Sequence, residues 1–318
     1  MLYFDQPDTF SVELVKTEGG RCKIQLSRLL TTYAKYFAKS DPSVAFHYLF
    51  LLTLPQNRDY DAYCHSQICS LVLETKDYGF YLGTFNADET KAPGFVEKYL
   101  GLMNLQDEKE FLKSIVLQAA QMCESEGKVQ DALNLYNLSH DYDAVLGLLA
   151  RKMSENLFGP SDALEFYKQH CISILQYYDN RNVEKSKMAT CQMLLKLSDF
   201  LRLHGELKYE AALSCMEDIN IIPLDGDARA TSRMAESLSH MDECISRHVG
   251  DIIVCLMTCI AKLFEGYKNS PYYDAAKQSK MQSLSKKARS LASFSGMIPL
   301  RLPQEVFAKL NRMAVPLN

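Results

Sequence analysis

The sequence predicts an all-α fold, an irregular α-helical solenoid of stacked antiparallel helix hairpins, and three observations carry that prediction. The first is the stretch Lys113–Tyr136. Ile115, Ala119 and Met122 recur at helical spacing, Gly127 can leave the helix with positive φ, and Val129, Ala132, Leu133 and Tyr136 resume the same period. The small residues Ala119 and Ala132 let two antiparallel backbones come close. The second observation is that such hairpins return along the chain, as one hairpin alone cannot bury its apolar stripe and needs neighbours on both sides. The third is an apolar stripe through Met234, Leu238, Met241, Ile245, Val249, Ile252, Leu256, Ile260, Leu263 and Tyr267, in steps of three and four. Read as one helix over 228–267, it extends about 60 Å at 1.5 Å per residue.

Taken in order, residues 1–22 are mixed in character, include Gly19-Gly20, and read as an irregular lead-in segment entered mid-domain; 23–318 reads as solenoid. A helix from Lys23 carries Ile24, Leu26, Leu29, Leu30, Tyr33, Tyr36 and Phe37 and stops at Ser40-Asp41-Pro42, where proline opens the next helix. That helix holds Val44, Ala45, Tyr48, Leu49 and Leu52. After a loop at Gln56-Asn57-Arg58, Asp59-Tyr60-Asp61-Ala62 opens a third helix through Glu74. Thr75–Gly101, interrupted by Gly79, Gly83, Pro93 and Gly94, is expected to form short helical pieces and loop rather than strands.

The tetrapeptide returns as Asp141-Tyr142-Asp143-Ala144, ahead of an apolar helix to Leu157. The separation is not a multiple of the ~34-residue tetratricopeptide period, so the repeat is degenerate. Further helices are expected over 161–178 and 183–203, followed by a turn at His204-Gly205 and a restart through Leu207, Ala211, Leu213 and Met216. Beyond the long stripe, Lys268–Pro271 breaks the chain before helices over 273–294 and 303–313.

Composition bounds the function. With 318 residues, 47% of them hydrophobic, and only 10 Pro and 14 Gly, the chain has ample material for a core. A net charge of −4 supplies no overall field for nucleic acid, so no direct nucleic-acid partner is expected. The longest apolar run, Tyr48–Leu54, stops at Pro55, far short of the roughly 20 residues of a membrane helix, and no membrane insertion is expected. The ten cysteines, without even close spacing, read as reduced, buried thiols.

No phosphate loop, dinucleotide fingerprint, zincin helix or nucleophile elbow is present, so no enzyme, catalytic residue, cofactor or small-molecule substrate is expected. Asp59 and Asp61, or Asp141 and Asp143, could be read as a magnesium site, but acids at helix starts cap free amides and oppose the macrodipole. On a continuous helix His240, Cys244, His248, Cys255 and Cys259 would share a face. Ligands four residues apart can share a zinc ion, yet the remaining ones lie a turn or two further on, so this face reads as core or interface packing and not as a metal site. Lys277, Lys280, Lys286, Lys287 and Arg289 are interleaved with Met281, Leu284, Ala288 and Leu291 and read as a solvated helix face.

Several strings resemble the nucleoporin-interacting component family, the large inner-ring scaffold nucleoporins of the nuclear pore complex, and most of all its fungal members. They are Ser40–Ala45, Leu71–Tyr78, Pro93–Val96, Leu105–Glu110, the hairpin Lys113–Tyr136, and Ala292–Pro299, in family order from about residue 20 onward. The resemblance implies an irregular α-solenoid and a structural role, placing other nucleoporins around the channel at the nuclear envelope and so supporting transport of protein and mRNA. It implies the C-terminal half of the family's solenoid, without the amino-terminal coiled-coil segment. It also implies docking of a short linear segment of the small membrane-proximal linker nucleoporin, in a groove the sequence does not locate. The alternative is a generic helical-repeat adaptor of vesicle-coat or proteasome-lid type, which shares the same hairpin physics.

Overall fold

The computed structural model describes residues 2–3, 15–18, 21–54, 58–85, 91–103, 107–178, 183–225, 227–269, 275–299 and 302–315. The expected loop at 56–57, the lower part of the string from Leu105, and the break at 270–271 lie outside the described residues. The chain divides into two compact units, Met1–Val145 and Leu146–Asn318.

In the first unit β1 (Leu2–Tyr3), β2 (Val15–Glu18) and β3 (Arg21–Gln25) form a sheet in the order β1-β3-β2. β1 runs parallel to β3, whereas β2 pairs with it antiparallel, from Val15↔Ile24 to Glu18↔Arg21. The first 22 residues were expected to be irregular, and the helix to begin at Lys23; strands instead run to Gln25. Val15–Glu18 and Arg21–Gln25 flank Gly19-Gly20, the kind of dipeptide that favours a two-residue hairpin connection.

Helices follow: α1 (Leu26–Phe37), α2 (Pro42–Phe50) with a 3₁₀ turn Leu51–Thr53, α3 (Arg58–Thr75) and α4 (Tyr78–Leu82). Asp41 accepts from the Val44 N–H at 3.1 Å, and Pro42 occupies the first helical position of α2, where no amide partner is lost. β4 (Gly83–Phe85) and β5 (Lys91–Pro93) then pair antiparallel. This corrects the expectation of a strand-free segment. Gly83 has φ +87, and a Cβ on it would sit 2.2 Å from the Ala92 carbonyl oxygen, so only glycine lets β5 close onto this turn. A 3₁₀ segment, Val96–Leu102, precedes α5 (Glu108–Ser125) and α6 (Val129–Leu138).

The α5–α6 hairpin has the predicted form. Ala119 and Ala132 are fully buried, together with Ile115, Ala120 and Cys123. The Lys128 N–H bonds to the Cys123 carbonyl at 2.8 Å and the Gly127 N–H to Glu124 at 3.0 Å, the paired bonds of a Schellman turn around Gly127, at φ +77. His140 closes α6 the same way. At φ +58 it donates to Asn137, while Asp141 donates to Tyr136.

α7 (Tyr142–Asn156) contains the division between units. The second unit continues with α8 (Ser161–Tyr178), α9 (Lys185–Gly205) and α10 (Tyr209–Ile219). α9 and α10 pack together with Leu194, Leu197 and Phe200 fully buried on one side and Ala212 and Met216 on the other. The turn lies two residues later than predicted, at Glu206-Leu207, so Leu207 and Ala211 are exposed and the buried stripe is Ala212, Leu213, Met216 and Ile219.

The predicted 40-residue helix is interrupted. It forms as α11 (Ala228–Ser237), a 3₁₀ turn Leu238–His240, α12 (Glu243–Ser246) and α13 (Val249–Asn269). Met241 is extended, at φ −78 and ψ 147, and the Asp242 carboxylate accepts from the Cys244 N–H at 2.8 Å, starting a new helix. The apolar period survives the break because Leu238, Ile245 and Val249 are all buried. α13 packs on α10, α14 (Ala275–Met297) and α15 (Gln304–Ala314). Buried Ser290 on α14 donates to the Pro223 carbonyl at 2.9 Å, fixing the loop through Ile221 and Ile222.

Candidate functional site

A well-formed concavity lies within the first unit, a cleft of about 320 Å³ lined by Lys76, Asp77, Tyr78, Gly79, Gly83, Thr84, Asp131, Asn134, Leu135 and Leu138. Local rules build it. α3 ends at Thr75, Lys76 takes a left-handed φ of +59, and Asp77 caps α4 by accepting from the Phe80 N–H at 3.3 Å. Gly83 turns the chain into β4, and a Cβ on Gly94 would lie 2.3 Å from the Tyr81 carbonyl oxygen, so the β4–β5 hairpin sits hard against α4. α6 supplies the opposite wall.

The cleft has an apolar floor and a charged mouth. Tyr78, Leu135 and Leu138 are buried, and burial pushes the Tyr78 phenol up to about 12, so it stays neutral. Behind the mouth Glu126 is bridged by two ammonium groups, Lys76 and, at 3.2 Å, Lys128. Their hydrogen bonds hold its carboxyl below the usual range. Asp131 lies in the first turn of α6, where the free helix amides favour its charge. The arrangement suits docking of a side chain with a polar surround. Lys76, Asp77 and Tyr78 belong to one of the strings that carry the family resemblance, and Asp131, Asn134 and Leu135 to another.

The residues singled out from sequence fall elsewhere. Asp141 accepts from the Ala144 N–H at 3.1 Å and caps α7 as predicted. Asp59 and Asp61 lie inside the first turn of α3, one residue or more past its start, with Asp61 buried. His240, Cys244 and His248 do not share a helix, as the break at Met241-Asp242 separates His240 from the others. His240 is exposed. Cys244 is buried, and its carbonyl accepts from Ser154 Oγ at 2.7 Å. Ser154 thus donates to Cys244 and accepts from His248 Nε2 at 3.0 Å, a polar tie between α7 and α12 inside the second unit. Among the described residues no group of three or more His, Cys, Asp or Glu is placed to hold a metal ion.

Burial pushes the thiols of Cys244 and Cys255 up to about 11 and that of Cys259 to about 12, so all three are protonated at neutral pH. On α14 Leu284, Ala288 and Leu291 are buried while Lys287 pairs with Glu217 and Lys280 lies 3.6 Å from Glu210. The basic stretch is thus a helix face paired to α10. No described helix is long and apolar enough to cross a membrane. The cleft itself escaped the sequence reading because its walls come from residues about fifty positions apart; the signal present was the run of glycines at 79, 83 and 94.

Comparison with known proteins places these features. The sequence profile of the Nup93/Nic96 family matches residues 3–309. The chain belongs to that family. Among its relatives, nucleoporin NIC96 of Saccharomyces cerevisiae is 30% identical over 95% of this chain and 38% of its own length. Nuclear pore complex protein Nup93 of Xenopus laevis is 25% identical over 97% of this chain, again 38% of its own. The crystal structure of Chaetomium thermophilum Nic96 SOL superposes with a TM-score of 0.80 at 20% identity, covering 98% of this chain and 50% of that one. This Nup93/Nic96 chain therefore has the α-solenoid fold of that domain, and it spans about two fifths of the length of the full relatives it matches.

Proposed function

We propose that this Nup93/Nic96 chain is a structural, non-catalytic component of the nuclear pore complex inner ring, holding other nucleoporins in place at the nuclear envelope and thereby supporting nucleocytoplasmic transport. The observation that carries this reading is the family match over residues 3–309, together with NIC96 and Nup93 relatives that are named as nucleoporins and nuclear pore complex proteins. The physical character of the chain agrees. Its cleft lies between α4, β4 and α6, and the thiols at Cys64 and Cys259 are buried and pushed up to about 12, as packing groups are. The division into a lead-in and a solenoid belongs to this proposal, with the boundary expected at 22/23 moved to the end of β3 at Gln25.

The partners are other nucleoporins, among them a short linear segment of the membrane-proximal linker nucleoporin lying in a groove between helices. A generic coat or lid adaptor uses the same hairpins but does not account for the family match. Fluorescent tagging of the protein that carries this chain tests the proposal. A punctate nuclear rim is the expected result; vesicular or diffuse fluorescence would overturn it.

A further inference from the structure

We infer that the cleft between α4, β4 and α6 receives a short partner segment in which an apolar side chain is flanked by lysine or arginine. The inference rests on the docking reading above and adds to it the place and the chemistry of one contact.

The shape argues for a side chain rather than a globular surface. At about 320 Å³ the cleft is at the small end of ligand pockets, roughly 300–1,000 Å³. Its depth is apolar, with Leu135 and Leu138 on one wall and the neutral ring of Tyr78 below, so a buried apolar anchor fills it without stranding a charge. Asn134 at the wall offers amide donors and an acceptor to the backbone of an extended peptide.

The charge of the mouth selects the flanks. Asp77 and Asp131 line it, and so does Lys76, but the Lys76 ammonium is turned to Glu126, which also binds Lys128. Among the described residues no ion pair is formed by Asp77 or Asp131. With Lys76 and Lys128 sharing Glu126, the opening and its surround hold three carboxylates against two ammonium groups, an excess of one negative charge. A cationic flank complements it, whereas an acidic flank meets like charge. The fold fixes Asp77 as the cap of α4, and Asp131 stands in the first turn of α6, where the helix amides favour a negative charge.

The test uses the whole chain with leucine methyls isotopically labelled, titrated with blocked pentapeptides and followed by NMR. The probes are Gly-Lys-Leu-Lys-Gly, Gly-Glu-Leu-Glu-Gly and Gly-Lys-Ala-Lys-Gly. The first is expected to shift the Leu135 and Leu138 methyls saturably. The acidic and alanine peptides are expected to bind at least about threefold more weakly, the size of loss that one exposed ion pair or one small anchor accounts for. Raising salt from about 0.05 to 0.5 M should weaken both lysine peptides and, by screening the repulsion, narrow the gap between the lysine and glutamate peptides that share leucine. Asp77→Asn with Asp131→Asn, where asparagine at 77 keeps the cap of α4, should remove the preference for the lysine flank while the rest of the methyl spectrum is unchanged. Equal response to the lysine and glutamate peptides, or no response at Leu135 and Leu138, would overturn the inference. If nucleoporin-derived peptides bind without touching these methyls, the docking reading stands and this cleft is excluded; if they do not bind at all, both fall.

Discussion

Leu207 occupies a backbone state that glycine takes freely. At φ +60 it closes α9 with its N–H on the His204 carbonyl, and the following Lys208 N–H reaches Leu203, while its side chain is 68% exposed. Leucine gives up its preferred backbone there for little burial, so Leu207→Gly is expected to stabilise the chain by about 0.5–1 kcal/mol in urea unfolding. Two histidines set a second residue-level expectation. Burial lowers the pKa of His204, whose Nε2 is buried without a hydrogen-bond partner among the described residues, and of His248, which faces Ser154, Arg247, Asp251 and the Phe158 ring. A depressed value in the folded state means that the unfolded chain binds protons first. Their contribution is therefore complete above the ordinary histidine value of 6.5 and is lost as pH falls from there through the depressed native values. Glu126, Glu165 and Glu206, held below the usual range by their hydrogen bonds to Lys76, Gln169 and Lys208, stay ionised in that window. Urea midpoints should drop between pH 7.5 and 5.5, and His204→Gln with His248→Gln should flatten the drop.

At the scale of elements, helix starts and stops decide more than periodicity does. Asp242 starts a new helix inside the predicted one, and Asp242→Ala should cost about 1 kcal/mol in thermal or urea unfolding by freeing the Cys244 amide. The hairpin α5–α6 was legible because its small residues, its glycine and its period all agree. The break at Met241-Asp242 was not, since the apolar residues on either side keep a single phase and an aspartate inside a helix differs from a cap only in the backbone that precedes it. The strands β2 and β3 carried a readable signal, alternation around Gly19-Gly20, that was outweighed by the mixed character of the segment. In β4 and β5 the glycines that suggested loop are those that permit close pairing, because Gly83 and Gly94 leave no room for a Cβ.

At the scale of the molecule, the fold class and the family were legible from hairpins and from short strings spread along the chain, while the site was not. A cleft between residues 76–84 and 131–138 exists only once α4 and α6 are brought together, and no local pattern encodes that approach. Under the proposed function this chain holds segments of other nucleoporins, and calorimetric titration with peptides tiling the linker nucleoporin tests that proposal most directly. One short segment should bind saturably with one-to-one stoichiometry, and alanine replacement of its apolar anchor should weaken it by at least tenfold. Silence from every peptide, with the chain shown folded and helical in the same buffer, would contradict the claim.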